Sequence, residues 1–540
     1  MEDFDAPGAY APAILPPSML AAQSVVRFRA ASAGYTSRPD DDPANVFFPP
    51  RLLGDIEIGQ SAIDGFGIGG RMALTLAEFD LWDGDRSLLG IIVFGLSDGR
   101  PATIRQAVVV DQQASHFGTP YGTADVVFSG LVRRIDHADG QRARVSLTDI
   151  SERLASPLQL NRFAGTGGLE GPAALVGQPK PVCLGTVFNL SPVPLGNVNL
   201  GDGLLPTYAV HWRSVSAVSK VRIRGVEQAA FSPPGVGQFK GWPVSGVFQI
   251  GSTPDGAVTA DVMGDASPAF VGTHAGIIRR LITSLGPGFM DAEIQTESFA
   301  FADTDMPGTA GWYRGANETT GAAAVDEILA SCGAVLAGGR GGTVRLFDPL
   351  ATGDAQFLLP EAFILDLQPI PFPAALRPLP RSVAVDWQRN WTPLTDLAGS
   401  ADAATLNGSA SGPARASSLA IATRVAQNRE MHMPGLYALE ADALFRAERW
   451  RALFEASPRA FRLTTDRYLG QIECGDLGAI AYPAFGLENG AGVVVLGWRE
   501  ALGGRRLSLD LVTVPWVVIP PVVTTGEGLG FFILDVDELA

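Results

Sequence analysis

Alternation of apolar and polar residues sets the rhythm of most of this chain. From Ser129 to Asp149 it runs along both arms of an Asp139-Gly140 turn, the pattern of a paired hairpin. The same period of two predicts strands at Val25–Ala31, Leu52–Gly59, Arg71–Trp82, Leu88–Leu96, Ala102–Val110, Ala124–Ile135 and Arg142–Ile150. So many short strands so close together favour a barrel or sandwich. Residues 24–160 therefore read as a first β-barrel domain, preceded by an extended arm over 1–23.

Strand and turn character continues at Thr207–Trp212, Val218–Gly225, Gly246–Gly251 and Gly256–Gly264, so residues 161–270 read as a β insertion domain. Helical periodicity then takes over. Thr273 is placed to cap a helix whose face is Ile277, Ile278, Leu281, Ile282 and Leu285, with Gly286 as its C′ residue. Thr320 is placed to cap a second, with Val325, Ile328, Leu329 and Cys332 inward and Gly333 ending it. With the strand Thr343–Pro349, residues 271–390 read as a small α+β domain.

Residues 391–435, containing Thr405–Ala414, have the composition of a linker. Over 436–518 a helix and a second set of strands are predicted. The helix covers Leu436–Ser457, is lined by Leu444, Ala447, Trp450, Leu453 and Phe454, and stops at Pro458. Its Glu440, Asp442, Glu448 and Glu455 alternate with Arg446, Arg449 and Arg451, the pattern of an exposed, ion-paired face. Strands follow at Ala460–Glu473, Leu477–Pro483, Gly492–Glu500 and Arg505–Val514. Residues 519–540 form a C-terminal arm, whose Phe531, Phe532, Ile533 and Leu534 suit either a neighbour's surface or a last strand of the home domain.

The hairpin from Ser129 to Leu147 has an echo from Leu496 to Leu509: a Gly-containing strand, a Gly turn and an Arg-rich alternating return. Generic hairpin chemistry accounts for such likeness, and so does a duplicated domain. The fold class predicted is mainly β with α+β portions, multidomain.

Composition narrows the function. A chain with 46% apolar and 18% charged residues is globular. A net charge of −16 argues against general affinity for DNA or anionic membrane. It suits solubility. The near-absence of lysine (Lys180, Lys220 and Lys240 alone) reads as coding bias toward arginine. The N-terminus lacks the basic region of a signal peptide, and no long apolar span is present, so a soluble protein made in the cytoplasm without a membrane anchor is expected. Cys183, Cys332 and Cys474 are scattered, which indicates buried thiols and no disulfide or zinc framework.

Candidate chemistry is sparse. Gly65-Phe66-Gly67-Ile68-Gly69-Gly70 fits a dinucleotide fingerprint in spacing but precedes a strand pattern where a helix is required, so a turn is expected. Gly165–Gly168 and Gly338–Gly342 lack the Lys-Ser/Thr of a phosphate loop; a packing loop and a tight turn before a strand are expected. His116, His137, His211, His274 and His432 form no metal or nucleophile motif, and His137 reads as an exposed loop residue. Asp40-Asp41-Asp42 lacks calcium-loop spacing and reads as a solvated turn. No catalytic, cofactor-binding or metal residue is assigned, no cofactor is expected, and the chain is read as a non-enzyme.

Three stretches carry a family resemblance: Asp149–Gln159, Gly167–Gly171 and Lys180–Val193. Weaker echoes lie at Tyr208–His211, Gly256–Asp261 and Gly470–Asp476. In this order they resemble the hub proteins of siphovirus-like bacteriophage tails, found at the distal end of the tail tube. The resemblance implies a virion structural protein with two tube-like β-barrel domains, forming a homotrimeric ring that matches a six-fold tube. It implies as partners the distal tail protein and tube, the tape-measure protein and tail fibre or tip proteins, with DNA passing through a central channel without specific binding. The alternative is a tail-tip enzyme or receptor-binding protein acting on cell-envelope glycan.

Overall fold

Alternating sequence becomes strand over most of the molecule: 42% of it is strand and 19% helix, a multidomain, mainly β architecture with α+β portions. The computed structural model describes residues 28–519 apart from 64, 65, 67, 68, 73, 90, 91, 93–97, 107–119, 374, 375, 428, 467–471 and 503–505. The expected arm over 1–23 and the apolar cluster Phe531–Leu534 lie outside the described residues.

The centre is an 11-stranded sheet. Its N-terminal strands are β1 (Leu52–Ser61), β2 (Leu74–Trp82), β3 (Pro101–Gln106), β4 (Asp125–Asp139) and β5 (Arg142–Thr148). Its C-terminal strands are β6 (Asp366–Ile370), β7 (Ala460–Thr465), β8 (Leu477–Tyr482), β9 (Leu487–Ala501) and β10 (Arg506–Thr513). Phe357–Leu359 adds a short parallel strand beside β8. The order across the sheet is β6-β7-β10-β9-β1-β2-β5-β4-β3, with β8 beside β9. Taken in chain order, each set of five pairs first-second-fifth-fourth-third, all antiparallel.

The likeness extends to single residues. Val132 pairs with Leu147, the register slips by one, and pairing resumes at Arg134 with Ser146. Val495 pairs with Leu511, the register slips by one, and pairing resumes at Gly497 with Asp510. A β-bulge thus stands at the same place in β4 and β9, where it bends and twists the strand. On the opposite edge Val132 donates to the Arg100 carbonyl at 2.7 Å, and Val495 to that of Asp476 at 3.0 Å. The hairpin echo in the sequence therefore marks one structural unit used twice, although Gly497 occupies the place of Arg134 and not that of Gly130. Leu507, Leu509 and Leu511 are buried where Ala143, Val145 and Leu147 are buried. Each such leucine taken from water contributes about 1.5–3 kcal/mol.

Between the two units the chain builds two further five-stranded sheets and a helical layer. One sheet centres on Val182–Leu190, Val215–Ile223 and Val258–Asp265; the other on Leu204–Ala209 and Val247–Ile250. Helices α1 (His274–Ser284), α2 (Thr296–Asp305) and α3 (Gly321–Cys332) follow. Thr273 and Thr320 cap α1 and α3 by accepting from Gly276 and Ala323 at 3.1 and 3.2 Å. Gly333 ends α3 in the left-handed conformation. Gly286, expected to do the same for α1, does something else: its missing Cβ leaves room for the Pro157 carbonyl, 1.7 Å from where that atom would lie.

Three local expectations differ from the structure. The strand predicted from Val25 is, over its described part, an extended segment with a lone bridge from Ala31 to Pro50. Within Leu88–Leu96, Leu89 and Ile92 are helical, and Ile92 donates to the Leu88 carbonyl. The long helix α4 begins at Glu440 (Glu440–Glu455), because Leu436 and Tyr437 end the strand Glu430–Tyr437. The loop-like stretch around it is ordered: Gly412–Ser417 and Glu430–Tyr437 flank Ser382–Trp387 in a three-stranded sheet.

Candidate functional site

The candidate site is the seam where the two units meet. Gly497, Trp498, Arg499, Glu500 and Ala501 of β9 face Ser61, Gln60, Gly59, Ile58 and Glu57 of β1. Ala62 extends the ladder by donating to the Leu496 carbonyl at 2.6 Å. Residues two apart on a strand turn their N–H to the same edge, so Ile58, Gln60 and Ala62 all address β9. Gly59 has to be small: a Cβ there would lie 2.9 Å from the Trp498 carbonyl oxygen.

A turn from the helical layer fastens the seam. Gly338–Gly342 joins strands Val335–Gly338 and Val344–Phe347, as its glycines predicted. Its Gly338 carbonyl accepts from Gln60 Nε2 at 2.8 Å, and its Arg340 carbonyl accepts from the Ser129 N–H at 2.7 Å. Both contacts lie on the N-terminal unit. The Arg340 side chain reaches the other unit, stacking over Trp498 at 3.7 Å and pairing with Glu500. Its backbone N–H donates to Glu473 Oε1 at 2.7 Å. Arg345 then bridges Glu473 at 3.1 Å and Asp476 at 2.9 Å. Burial drives the Asp476 carboxyl above its ordinary range despite the Arg345 charge beside it. Buried ion pairs of this kind fix geometry more than they add stability.

Among the described residues, the two strands equivalent to those of the seam each keep an outer edge without a paired strand. Beyond Val132, no described residue pairs with the outer edge of β4, and Arg133, Arg134 and Asp136–Asp139 are exposed. No described residue pairs with the outer edge of β6. There the sequence reads Gln368-Pro369-Ile370-Pro371, and a proline in a paired strand keeps its nitrogen turned from the partner. By register Gln368 and Pro369 take the places of Glu57 and Ile58, since their β7 partners Arg462 and Phe461 take those of Glu78 and Ala77.

The residues singled out for chemistry scatter. Gly69 and Gly70 lie against α3 and the strand Val335–Gly338, and β2 follows where a nucleotide fold needs a helix; Gly65, Gly67 and Ile68 lie outside the described residues. His211 is buried, with Nδ1 accepting from the Cys183 N–H at 3.0 Å and Nε2 directed at Asp265, 3.5 Å away. Burial disfavours the Asp265 carboxylate, but His211 and Arg213 outweigh it and hold the group well below the usual range. His274 is buried edge-on to Tyr437, and burial lowers its pKa to about 3. His432 meets Asp386 at the surface, His137 is exposed on β4, and His116 lies outside the described residues. All three cysteines are buried free thiols, raised by burial, Cys332 to about 11. Asp41 accepts from the backbones of Arg38 and Tyr121, so the acidic triplet is a turn.

Arg446 corrects the expectation of an exposed charged face on α4. It points inward, forms a two-pronged pair with Asp348 at 2.6 and 2.8 Å, and donates to the Cys332 carbonyl at 2.5 Å. Leu444, expected inward, is 40% exposed. A cavity of about 220 Å³ between Phe188, Asp261, Arg389 and Trp391 has its charges already paired, Asp261 to Arg222 and Arg389 to Glu327. Among the described residues no cluster of His, Cys, Asp or Glu is placed to hold a metal, and no helix is long and apolar enough to cross a membrane.

No protein-family model and no curated protein matches the sequence. Among solved structures the chain is similar to the 43 kDa tail protein of prophage MuSo2 from Shewanella oneidensis, at 10% identity and a TM-score of 0.33, over 85% of this chain and 94% of that one. It is similar to a chain of the native gene transfer agent virion at 12% identity and a TM-score of 0.41, over 68% and 92%. A tail protein from Neisseria meningitidis MC58 matches at 9% identity and a TM-score of 0.34, over 86% and 95%. Likeness this distant carries no functional argument, which has to come from the chain's own residues.

Proposed function

We propose that this chain is a structural protein of a bacteriophage tail: the hub at the distal end of the tail tube, where three copies form a ring. The observation that carries this reading is the double use of one five-strand unit, fused edge to edge in a single sheet. The fusion is head to tail, the fourth strand of one unit against the first strand of the other. A head-to-tail contact repeated by a suitable rotation closes into a ring. Three chains then present six similar units to a six-fold tube.

The residues behind the family resemblance support a structural role. Asp149 caps the turn Ile150–Ala155 and packs against Gly338 of the fastening turn. Leu158 bonds to Thr319 and Gly286. Lys180 pairs with Glu170 at 2.6 Å, and Gly185 gives way to the Ala310 carbonyl. These contacts brace sheets and helices against one another. In this reading the partners are the distal tail protein and tube, the tape-measure protein and tip or fibre proteins, and the net charge of −16 suits a lumen that DNA crosses without adhering.

Light scattering of the purified protein, with negative-stain images of the same peak, tests the reading. Three copies of the 56.7 kDa chain, about 170 kDa, around a central hole are expected. A monomer that turns over or binds purified cell envelope would replace the hub with an envelope-acting tail protein.

A further inference from the structure

We infer that the molecule carries a binding site for a neutral sugar: the cavity of about 220 Å³ lined by Phe188, Ser219, Asp261, Arg389 and Trp391 takes a hexopyranose unit. The inference does not depend on the hub reading. It begins with the backbone. Where Val215–Ile223 pairs with Val258–Asp265, Val218 faces Val262 and Lys220 faces Asp261, so Ser219 is an extra residue. Where Val258–Asp265 pairs with Val182–Leu190, Asp261 stands alone against Phe188 and Asn189. Where Ser382–Trp387 pairs with Glu430–Tyr437, Asp386 stands alone against Pro434, Gly435 and Leu436. Each break supplies a lining residue of the one cavity: Ser219, then Phe188 and Asp261, then Leu436. Bulges re-aim side chains and gather beside functional sites. Asn189 and Gln388 also hold left-handed backbone here, at φ of 52° and 47°, a conformation most residues avoid. Asn189 ties the walls together, donating through Nδ2 to Asn390 Oδ1 and to the Thr392 carbonyl, both at 2.8 Å.

The lining chooses the ligand. Its two charged residues are of opposite sign, and both are already held. Asp261 accepts a two-pronged pair from Arg222 at 2.7 and 2.6 Å and a third bond from the Asn189 N–H at 2.9 Å. Arg389 donates through Nη1 to Glu327 at 2.6 Å. An ion of either sign meets its like on one wall, which disfavours a phosphate, a carboxylate or a metal. A neutral polyol meets no such conflict, and charged partners give its hydroxyls stronger hydrogen bonds than neutral ones do. Bonding capacity is left for it: among the described residues nothing pairs with the Thr186 or Ser219 hydroxyl, or with Arg389 Nε and Nη2. Phe188 and Trp391 add aromatic surface and stay partly exposed. Arg222 over Phe188 at 5.2 Å and Arg389 over Trp391 at 4.1 Å fix the two rings in place. The electron-rich face of such a ring attracts the C–H groups on one side of a pyranose, whose hydroxyls point outward to polar partners. Aromatic surface, paired charges and free hydroxyls in one preformed hollow are the recognition chemistry of a hexose.

Saturation-transfer NMR on the full chain tests the site, with D-glucose, D-galactose, D-mannose and D-glucuronate as probes. At least one neutral hexose should receive saturation, and D-glucuronate should bind more weakly. Ser219→Trp fills the hollow from an exposed bulge residue and should abolish the transfer at an unchanged melting temperature. Trp391→Ala should weaken binding by about tenfold through loss of one aromatic face. No transfer to any neutral hexose overturns the site, and so does transfer that persists in a folded Ser219→Trp protein. Should Ser219→Trp fail to fold, undiminished binding by Trp391→Ala overturns it instead. Tighter binding of D-glucuronate overturns the neutral assignment. Dextran, galactan or mannan, matched to the hexose that binds, separates two sources with the site upheld in both. A polymer that displaces the free sugar makes the ligand a unit of a polysaccharide, and one that does not makes it the free sugar. Light scattering of the same samples reads the trimer separately, so either reading can fail alone.

Discussion

Ala62 donates its backbone N–H to the carbonyl of Leu496 at 2.6 Å, and this bond begins the ladder that makes one sheet of the two ends of the chain. The neighbouring side chains are arranged to permit it. At Gly59 any larger residue would strike the Trp498 carbonyl and the Arg499 backbone. Gly59→Val should therefore cost about 1–3 kcal/mol and loosen the seam itself. Hydrogen exchange should quicken at Gln60 and Ala62 while the interior of α1 stays protected. Uniform loss of protection would contradict a local seam.

Arg340 and Glu500 are both nearly inaccessible and pair across the seam. Removing one partner leaves a buried charge, so Arg340→Met should destabilise by about 3–5 kcal/mol. Arg340→Met with Glu500→Leu should recover most of that loss. Urea midpoints of the two variants read the difference, and equal midpoints would mean that Arg340 acts chiefly through its stacking on Trp498.

The same logic applies to Arg446 and Asp348, which anchor α4 to the helical layer. Asp348→Asn should shift the unfolding midpoint strongly and expose the Trp450 neighbourhood to fluorescence quenchers. Arg451→Ala, on the solvent side of α4, should change stability by less than about 1 kcal/mol. Similar effects from the two would undo the assignment of an inward face.

His274 predicts acid lability. Its folded pKa, about 3, lies below the ordinary value of 6.5, because burial disfavours the charged ring and Arg446 adds to that. Between those values the unfolded chain binds a proton that the folded chain does not, so stability falls as pH drops from 6.5 toward 3. The slope approaches about 1.4 kcal/mol per pH unit. Asp265, with a depressed pKa, acts in the same direction at lower pH: its stabilisation is complete above about 3.8 and is lost as pH falls beneath it. His274→Phe should lessen the decline between about pH 6 and pH 4 without abolishing it, because burial lowers the His211 pKa as well and His211 contributes in the same direction. An unchanged profile of melting temperature against pH would refute the assignment.

Much of this was legible in the sequence, and the remainder failed for identifiable reasons. Strands with clean alternation, such as β5 and β10, stand where expected, and the caps at Thr273, Thr320 and Gly333 work as local chemistry dictates. The echo of the two hairpins was visible, but the bulge shifts their true alignment, and a bulge leaves no residue signature of its own. Arg446 was misread because a charged residue at helical spacing looks exposed until its partner is known, and Asp348 lies far away in sequence, just past the strand Val344–Phe347. The stretch 391–435 has loop composition, yet its strands gain order from Ser382–Trp387, a pairing that periodicity cannot reveal. The seam, the candidate site itself, was invisible: nothing local to Gly59 or Trp498 announces the other.

If copies of the chain close into the proposed ring, the insertion of Ser382–Tyr437 and α4 between β6 and β7 has a consequence for whatever meets that ring. Only the C-terminal unit bears that insertion; between β1 and β2 there is merely a short connection. Around a ring of such chains, embellished and plain units would alternate like long and short teeth on a wheel. A six-fold neighbour could engage all the units through their common sheet, whereas a three-fold neighbour would find its three footholds already spaced for it.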